Sequence, residues 1–257
     1  MTGNGRLETA LPWLFVIGFL LVWQLACLVF HIPAFVLPSP TLIAAALQKQ
    51  IGPIMENSWV TLLRTLVGFA IAVVLGVLLG LAIGMFRFIY RGLYPVLVGF
   101  NSIPKVAVVP VFVIWFGIGT IPAVLTAFLV SFFPIAVNVA TGLATIEPEL
   151  LDVMRVLGAK RRTILMKIGL PRSMPYFFAS LKVAITLAFV GTIVSETVAS
   201  NSGIGYLMMA ATANFDTPLV FAGLIVIAVM GIAMYALCAA IEHRMTFWAK
   251  RGEGLMA

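Results

Sequence analysis

The sequence predicts an all-α polytopic membrane protein, and three observations carry that reading. Hydrophobic residues make up 62% of the 257 residues and charged residues 10%, against about half and about a quarter in soluble domains. The mean hydropathy is +1.14. Six apolar stretches are each long enough to cross a bilayer, which takes about 20 residues of helix. A soluble domain of this size needs a wetted polar shell that this composition does not supply. A soluble enzyme is therefore excluded, and with it a disordered chain, collagen and a disulfide scaffold. A membrane β-barrel would alternate in short segments, whereas this chain runs continuously apolar.

The stretches cover residues 11–30, 59–86, 94–116, 120–141, 176–200 and 218–241. The first follows Arg6, as a signal peptide would. It is too long for one and lacks a small-x-small cleavage site before His31-Ile32-Pro33, so it reads as a span. Orientation follows from Lys and Arg in the connections. With the N-terminus inside, the cytoplasmic side carries Arg6, Arg87, Arg91, Arg155, Lys160, Arg161, Arg162, Lys167, Arg172, Arg244, Lys250 and Arg251, and the outside only Lys49. Both termini are therefore expected in the cytoplasm. The net charge of +7 reports this topology rather than a nucleic-acid partner. Residues 31–58 form an outer segment opened by Pro33, Pro38 and Pro40, with a short helix over Thr41–Gln50. Residues 142–175 form the one long inner loop. No repeat of 20–50 residues is present, and no inverted repeat is visible. The chain reads as a single domain over 1–257. Cys27 and Cys238 lie in apolar runs and read as small packing residues.

The second span carries Arg64, Gly68, Ala72, Gly76, Gly80 and Gly84 at four-residue spacing. Residues i and i+4 share a helix face, so this row is a groove for close helix packing. The third span is broken at Asn101-Ser102-Ile103-Pro104-Lys105 and again at Pro110, because proline removes a donor and bends the helix. Lys105 falls near mid-membrane, where a lysine costs at least about 2.5–3.5 kcal/mol. It must face a cavity or a partner. Two readings stand: a pathway cation that attracts an anionic solute, or a hydrogen bond that holds the broken helix. Glu196 is the only acid inside a predicted span, and Arg64 lies at similar depth, so the two are expected to be neighbours. On that reading a charge swap restores what either reversal loses. Lys182, near the inner end of the fifth span, is expected to snorkel.

The inner loop runs Glu147-Pro148-Glu149-Leu150-Leu151-Asp152-Val153-Met154-Arg155-Val156-Leu157-Gly158. Pro148 suits a first helical turn, and the acids suit the positive end of the helix dipole. Leu150, Leu151, Met154 and Leu157 form an amphipathic stripe, and Gly158 fits the stop. A second short helix is expected from Lys160 to Gly169, ended by Pro171.

This loop resembles the signature of permease subunits of bacterial ABC importers: Glu-Ala-Ala, three residues, Gly, nine residues, Ile, one residue, Leu-Pro. Asp152, Gly158, Ile168, Leu170 and Pro171 keep that spacing throughout. Asp152-Val153-Met154 replaces Glu-Ala-Ala, which keeps the carboxylate and enlarges the two alanines. Around the loop the chain resembles the nitrate/sulfonate/taurine branch of the family. The matching stretches are Leu37-Pro38-Ser39-Pro40, Thr61-Leu62-Leu63-Arg64, Ile103-Pro104, Trp115-Phe116-Gly117-Ile118-Gly119, Ser195-Glu196 and Gly203-Ile204-Gly205-Tyr206-Leu207.

The resemblance implies a type I importer permease in the bacterial inner membrane, with six helices and a short cytoplasmic coupling helix between the fourth and fifth. Asp152, Val153, Met154, Arg155, Leu157, Gly158 and Ala159 would contact a cytoplasmic ATPase dimer, and Ile168, Leu170 and Pro171 close the signature. It also implies a second copy of the permease, more readily a homodimer than a heterodimer, and a solute-binding protein. The solute would be a small organic or inorganic anion such as a sulfonate, nitrate or carboxylate, or else a neutral heterocycle such as a vitamin precursor. No Gly-x-x-x-x-Gly-Lys-Ser/Thr loop occurs in the chain. ATP and magnesium would therefore be bound by the partner, and the chain itself would carry no cofactor. An ion-coupled secondary transporter is the more distant alternative. It would place more acids at the midplane and would lack the loop signature. An intramembrane protease is disfavoured because His31 and His243 lie at opposite faces.

Overall fold

A computed structural model describes residues 5–246. Every regular element among the described residues is helical. In chain order these are α1 (Gly5–Val29), α2 (Pro40–Lys49), α3 (Ile51–Met85), α4 (Arg87–Asn101), α5 (Val109–Phe116), α6 (Thr120–Ala144), α7 (Pro148–Val156), α8 (Arg161–Ile164), α9 (Leu170–Ala199), α10 (Ile204–Ala213) and α11 (Thr217–Met245).

Four helical segments are long and apolar enough to cross a membrane: α3, α6, α9 with the turn that precedes it, and α11. The predicted third span is the broken pair α4 and α5. Its halves meet through a 3-10 turn at Lys105–Val108 and are bent by 84°. The predicted first span falls on α1, whose apolar described stretch is the shorter Leu14–Val29.

The small-residue row of α3 lies against α6. A Cβ on Gly68 would sit 2.7 Å from the Ala127 side chain, on Gly76 3.0 Å from Ile135, on Gly80 2.6 Å from Val139 and on Gly84 2.6 Å from Leu143. The contacts step along both helices together, so α3 and α6 run parallel in one register. Ala72, Ile135 and Val139 are buried between them, joined by Ala184 of α9. At the end where α3 begins, Ile43, Ile54, Ile204, Ala211, Leu219 and Ala222 close a second core between α2, α3, α10 and α11.

Several boundaries differ from the sequence reading. α3 begins at Ile51, which draws Glu56 into its first turns, and α11 runs on to Met245 and includes Glu242. Glu196 is therefore not the sole acid in the long helices. α10 was not anticipated, because ten residues of weak pattern between Gly and Asn read as connection. Pro171 does not end a helix. Residues Leu165–Gly169 form a π-turn, the Leu170 N–H donates to the Leu165 carbonyl, and α9 continues with Pro171 in its first turn. A first-turn proline needs no N–H partner, so the proline begins the long helix instead of closing the short one.

The α3–α6 contact makes a specific prediction. Gly80→Val should lower the unfolding free energy by about 1–3 kcal/mol through overpacking. Gly52→Ala, in the same helix with nothing within 4 Å of the added carbon, should change it little. Denaturant unfolding of the detergent-purified protein reads both.

Candidate functional site

Two regions of the chain concentrate its polar chemistry. The first is a buried cluster where α3, α6, α9 and α10 meet. Arg64 and Glu196 are 5% and 1% exposed, and Arg64 Nη1 lies 2.9 Å from Glu196 Oε1. The expected neighbours thus form a direct ion pair, and the rest of the cluster saturates both groups. Arg64 donates to the Thr120 hydroxyl from Nε and Nη2 (3.3 and 3.1 Å), to the Ser202 hydroxyl from Nη2 (2.8 Å), and to the Ser200 hydroxyl and the Ser202 carbonyl from Nη1 (3.1 and 2.7 Å). Glu196 Oε2 accepts from the Thr61 hydroxyl (2.7 Å) and the Gly205 amide (3.2 Å).

The backbone is shaped to allow this. Gly203 has φ +103°, and a Cβ there would lie 2.2 Å from Glu196 Cδ. Its amide donates to Asn57 Oδ1 at 2.8 Å, and the next amide, of Ile204, donates to Thr61 Oγ1 at 2.9 Å. The first amides of α10 therefore find partners on α3, as helix starts require. One turn deeper, Thr65 and Thr192 hydrogen-bond at 2.9 Å.

The partner set is directional: carbonyl and hydroxyl oxygens surround Arg64, and N–H and O–H donors surround Glu196. A charge swap would aim a carboxylate at the Ser202 carbonyl and a guanidinium at the Gly205 amide. The rescue expected from sequence is therefore not expected from the geometry. Sequence reasoning found the pair but missed Asn57, Thr120, Ser200, Ser202 and the glycines that admit Glu196. The run Gly203-Ile204-Gly205 was the available signal.

The other two cations of the spans sit elsewhere. Lys182 pairs with Glu242 of α11 instead of snorkelling alone, because the extension of α11 brings that carboxylate within reach. Lys105 is half-buried at the helix break. Its ammonium donates to the Asn101 carbonyl (3.0 Å) and to Asn101 Oδ1 (2.8 Å) and lies 5.2 Å from the centre of the Phe133 ring. Cys27 and Cys238 are free thiols.

The second region is the connection between α6 and α9. Gly158 has φ +75° with open space around a would-be Cβ, so the backbone conformation rather than crowding demands glycine. Leu157 N–H donates to the Val153 carbonyl, and Ala159 N–H reaches back to the Met154 carbonyl at 2.9 Å. This is the left-handed helix cap that glycine favours. Asp152 is exposed, Met154 and Ala159 are half-buried, and Val153, Val156 and Leu157 are 55%, 88% and 74% exposed. Of the amphipathic stripe, Leu157 faces out, while Leu150 and Met154 are half-buried. The side chains of Leu151, Arg155, Arg161 and Arg162 lie outside the described ones. Ile168 and Leu170 are half-buried around the π-turn. Arg172 ties α9 back to Glu147 at 3.1 Å.

Residues 72–247 match the family of binding-protein-dependent transport system inner membrane components. The chain belongs to this family. It is an ABC importer permease and a multi-pass protein of the bacterial inner membrane. The permease is 36% identical to the riboflavin transport system permease protein of Chloroflexus aurantiacus over 89% of this chain and 86% of that one. It is 30% identical to the formylaminopyrimidine transport permease protein of Halalkalibacterium halodurans, over 93% and 96%. It is 33% identical to a putative aliphatic sulfonates transport permease protein of Escherichia coli, over 86% and 84%. Its fold is shared with a chain of the MetNI methionine ABC transporter, with a TM-score of 0.69 at 17% identity, covering 77% of the permease and 98% of that chain.

Removing one member of a buried ion pair costs about 3–5 kcal/mol, because the other charge is left uncompensated. Arg64→Met and Glu196→Gln should each destabilise the permease on that scale. The double variant should cost clearly less than the two effects added. Denaturant unfolding of the four forms of this cycle gives the coupling.

Proposed function

We propose that this permease is the transmembrane subunit of an ATP-driven importer, with α7 as the helix that couples it to a cytoplasmic ATPase dimer. In this reading the chain crosses the membrane six times as a single domain, with α1 and the broken α4–α5 pair completing the count. The basic connections and both termini lie in the cytoplasm, as the distribution of Lys and Arg favours. A second copy of the same chain completes the pathway around a two-fold axis, and a solute-binding protein delivers the cargo. ATP and magnesium are held by the ATPase, and the permease contributes no catalytic group.

One observation carries this reading. α7 and the turn after it present Val153, Val156 and Leu157 to the outside at the basic end of the bundle, and a water-facing apolar patch of this kind marks a partner surface. After the Gly158 turn, α8 and the π-turn run without a gap into α9. A push on α7 is delivered to the helix that holds Glu196. ATPase closure would bias the bundle between two states as a ligand does, through unequal contacts in each.

The cargo in this proposal is a small organic solute. The names of the relatives support two classes: organic anions, from the sulfonate permeases, and neutral heterocycles, from the riboflavin and formylaminopyrimidine permeases. Calorimetry of the solute-binding protein that pairs with this permease separates them directly.

The coupling surface is tested by Gly158→Val and Asp152→Lys. A valine at φ +75° is strained by about 1–2 kcal/mol in the cap alone. Both variants should keep the membrane fold and lose solute-stimulated ATPase activity by tenfold or about that, since each tenfold is about 1.4 kcal/mol of coupling. Undiminished stimulation in both would place the contact elsewhere.

A further inference from the structure

We propose that the break between α4 and α5 is a solute-contact site for a small organic anion, in which the Lys105 ammonium meets the anionic oxygens and Asn101 positions it. This rests on the importer reading above and adds to it the place where cargo is read.

The charges of the long apolar segments are distributed unevenly. Arg64 is neutralised by Glu196 and Lys182 by Glu242. The partners of Lys105 among the described residues are neutral: the carbonyl and side-chain oxygens of Asn101 and the face of Phe133. An ammonium has three donors, and Asn101 accepts from two of them. Among the described residues, one donor and the full positive charge are left without a charged partner.

The backbone points the same way. The halves of the span are bent by 84°, and Pro104 supplies no N–H to the carbonyls that the bend exposes. Irregular backbone at membrane depth is tolerated only against protein or a water-filled cavity. Asn101, Ser102, Ile103 and Pro104 are all exposed on this chain, while Lys105 is half-buried and Phe133 behind it is 5% exposed. The break is therefore backed by α6 and open on its other side. A cap for the α4 carbonyls needs only a hydrogen-bond donor, which a neutral side chain supplies equally well. A cation there is explained by an anion that arrives.

The test measures the sign of the potential at the break without depending on which solute the binding protein selects. In the complete transporter, with Cys27 and Cys238 replaced by serine, Ile103→Cys introduces a thiol at the exposed break, two residues from Lys105, and leaves Asn101 in place. Its reaction rates with sulfonatoethyl methanethiosulfonate and trimethylammonioethyl methanethiosulfonate are compared. Each rate is divided by that reagent's rate with a free thiol, because the thiolate's own charge favours the cationic reagent. Lys105 raises the thiolate fraction equally for both, so the normalised ratio reports steering by charge. The anionic reagent should be favoured at least about tenfold. Adding Lys105→Gln should collapse that preference, and adding Lys105→Arg should keep it. In uptake assays Lys105→Gln should raise KM for the solute severalfold, with Lys105→Arg restoring it. No reaction with either reagent would mean that the break is sealed and Lys105 only caps α4. A ratio unmoved by Lys105→Gln would also overturn the proposal, as would unchanged KM or a neutral heterocycle as the transported solute. Recovery of the ATPase with the tagged permease is scored separately, so failure of the site and failure of the importer reading are distinguishable.

Discussion

The structure depends on the way long helices poor in charge accommodate the buried ion pair of Arg64 and Glu196. Arg64 and Glu196 sit in a region where an uncompensated charge would be expelled or would unfold its surroundings. Their solution draws in four helices. Thr61 and Asn57 come from α3, Thr120 from the head of α6, Glu196, Ser200 and Ser202 from the end of α9 and beyond, and the Gly205 amide from the start of α10. Each donor and acceptor is matched in kind, so the cluster fixes geometry as well as neutrality. Gly203 and Gly205 are glycines because the Glu196 side chain occupies the space a Cβ would take.

From this anchored end the packing runs in one direction. The small residues of α3 let α6 approach closely along its whole length, and α9 packs against both. Close backbone approach of this kind interlocks the three helices. α9 then passes through the π-turn into the α7–α8 connection. The anchored cluster and the exposed helix α7 therefore lie at the two ends of one continuous path of backbone and tight packing. The α4–α5 break packs against the same path, with Leu97 of α4 buried beside Ile83 of α3 and Phe133 and Ala140 of α6.

Much of this was legible in the sequence, and for identifiable reasons. Four-residue spacing of Gly68, Ala72, Gly76, Gly80 and Gly84 has a single geometric meaning on a helix, and so it marked the packing face, though not α6 as the helix that fills it. Scarcity of charge made Arg64 and Glu196 conspicuous and their pairing predictable. Gly158 was readable because a left-handed cap has a strong residue preference. The remainder depended on context. Ser200, Ser202 and Thr120 are common residues whose role comes only from the turn that folds back over Arg64. The pairing of Lys182 required knowing that α11 extends past residue 241. Pro171 was misread because proline marks either end of a helix, and the π-turn that decided the matter leaves no composition signal. The outward face of Leu157 could not be told from an inward one, since periodicity gives a stripe but not the side on which the partner sits.

The central claim is that this chain moves solute only as the membrane part of an ATP-driven machine, with force entering at α7. The most direct measurement is solute uptake into proteoliposomes that contain the permease, its ATPase and its binding protein, with ATP and ion gradients varied independently. The account predicts uptake that requires ATP and the ATPase and persists when proton and sodium gradients are collapsed. Uptake driven by an ion gradient with the ATPase absent would contradict it.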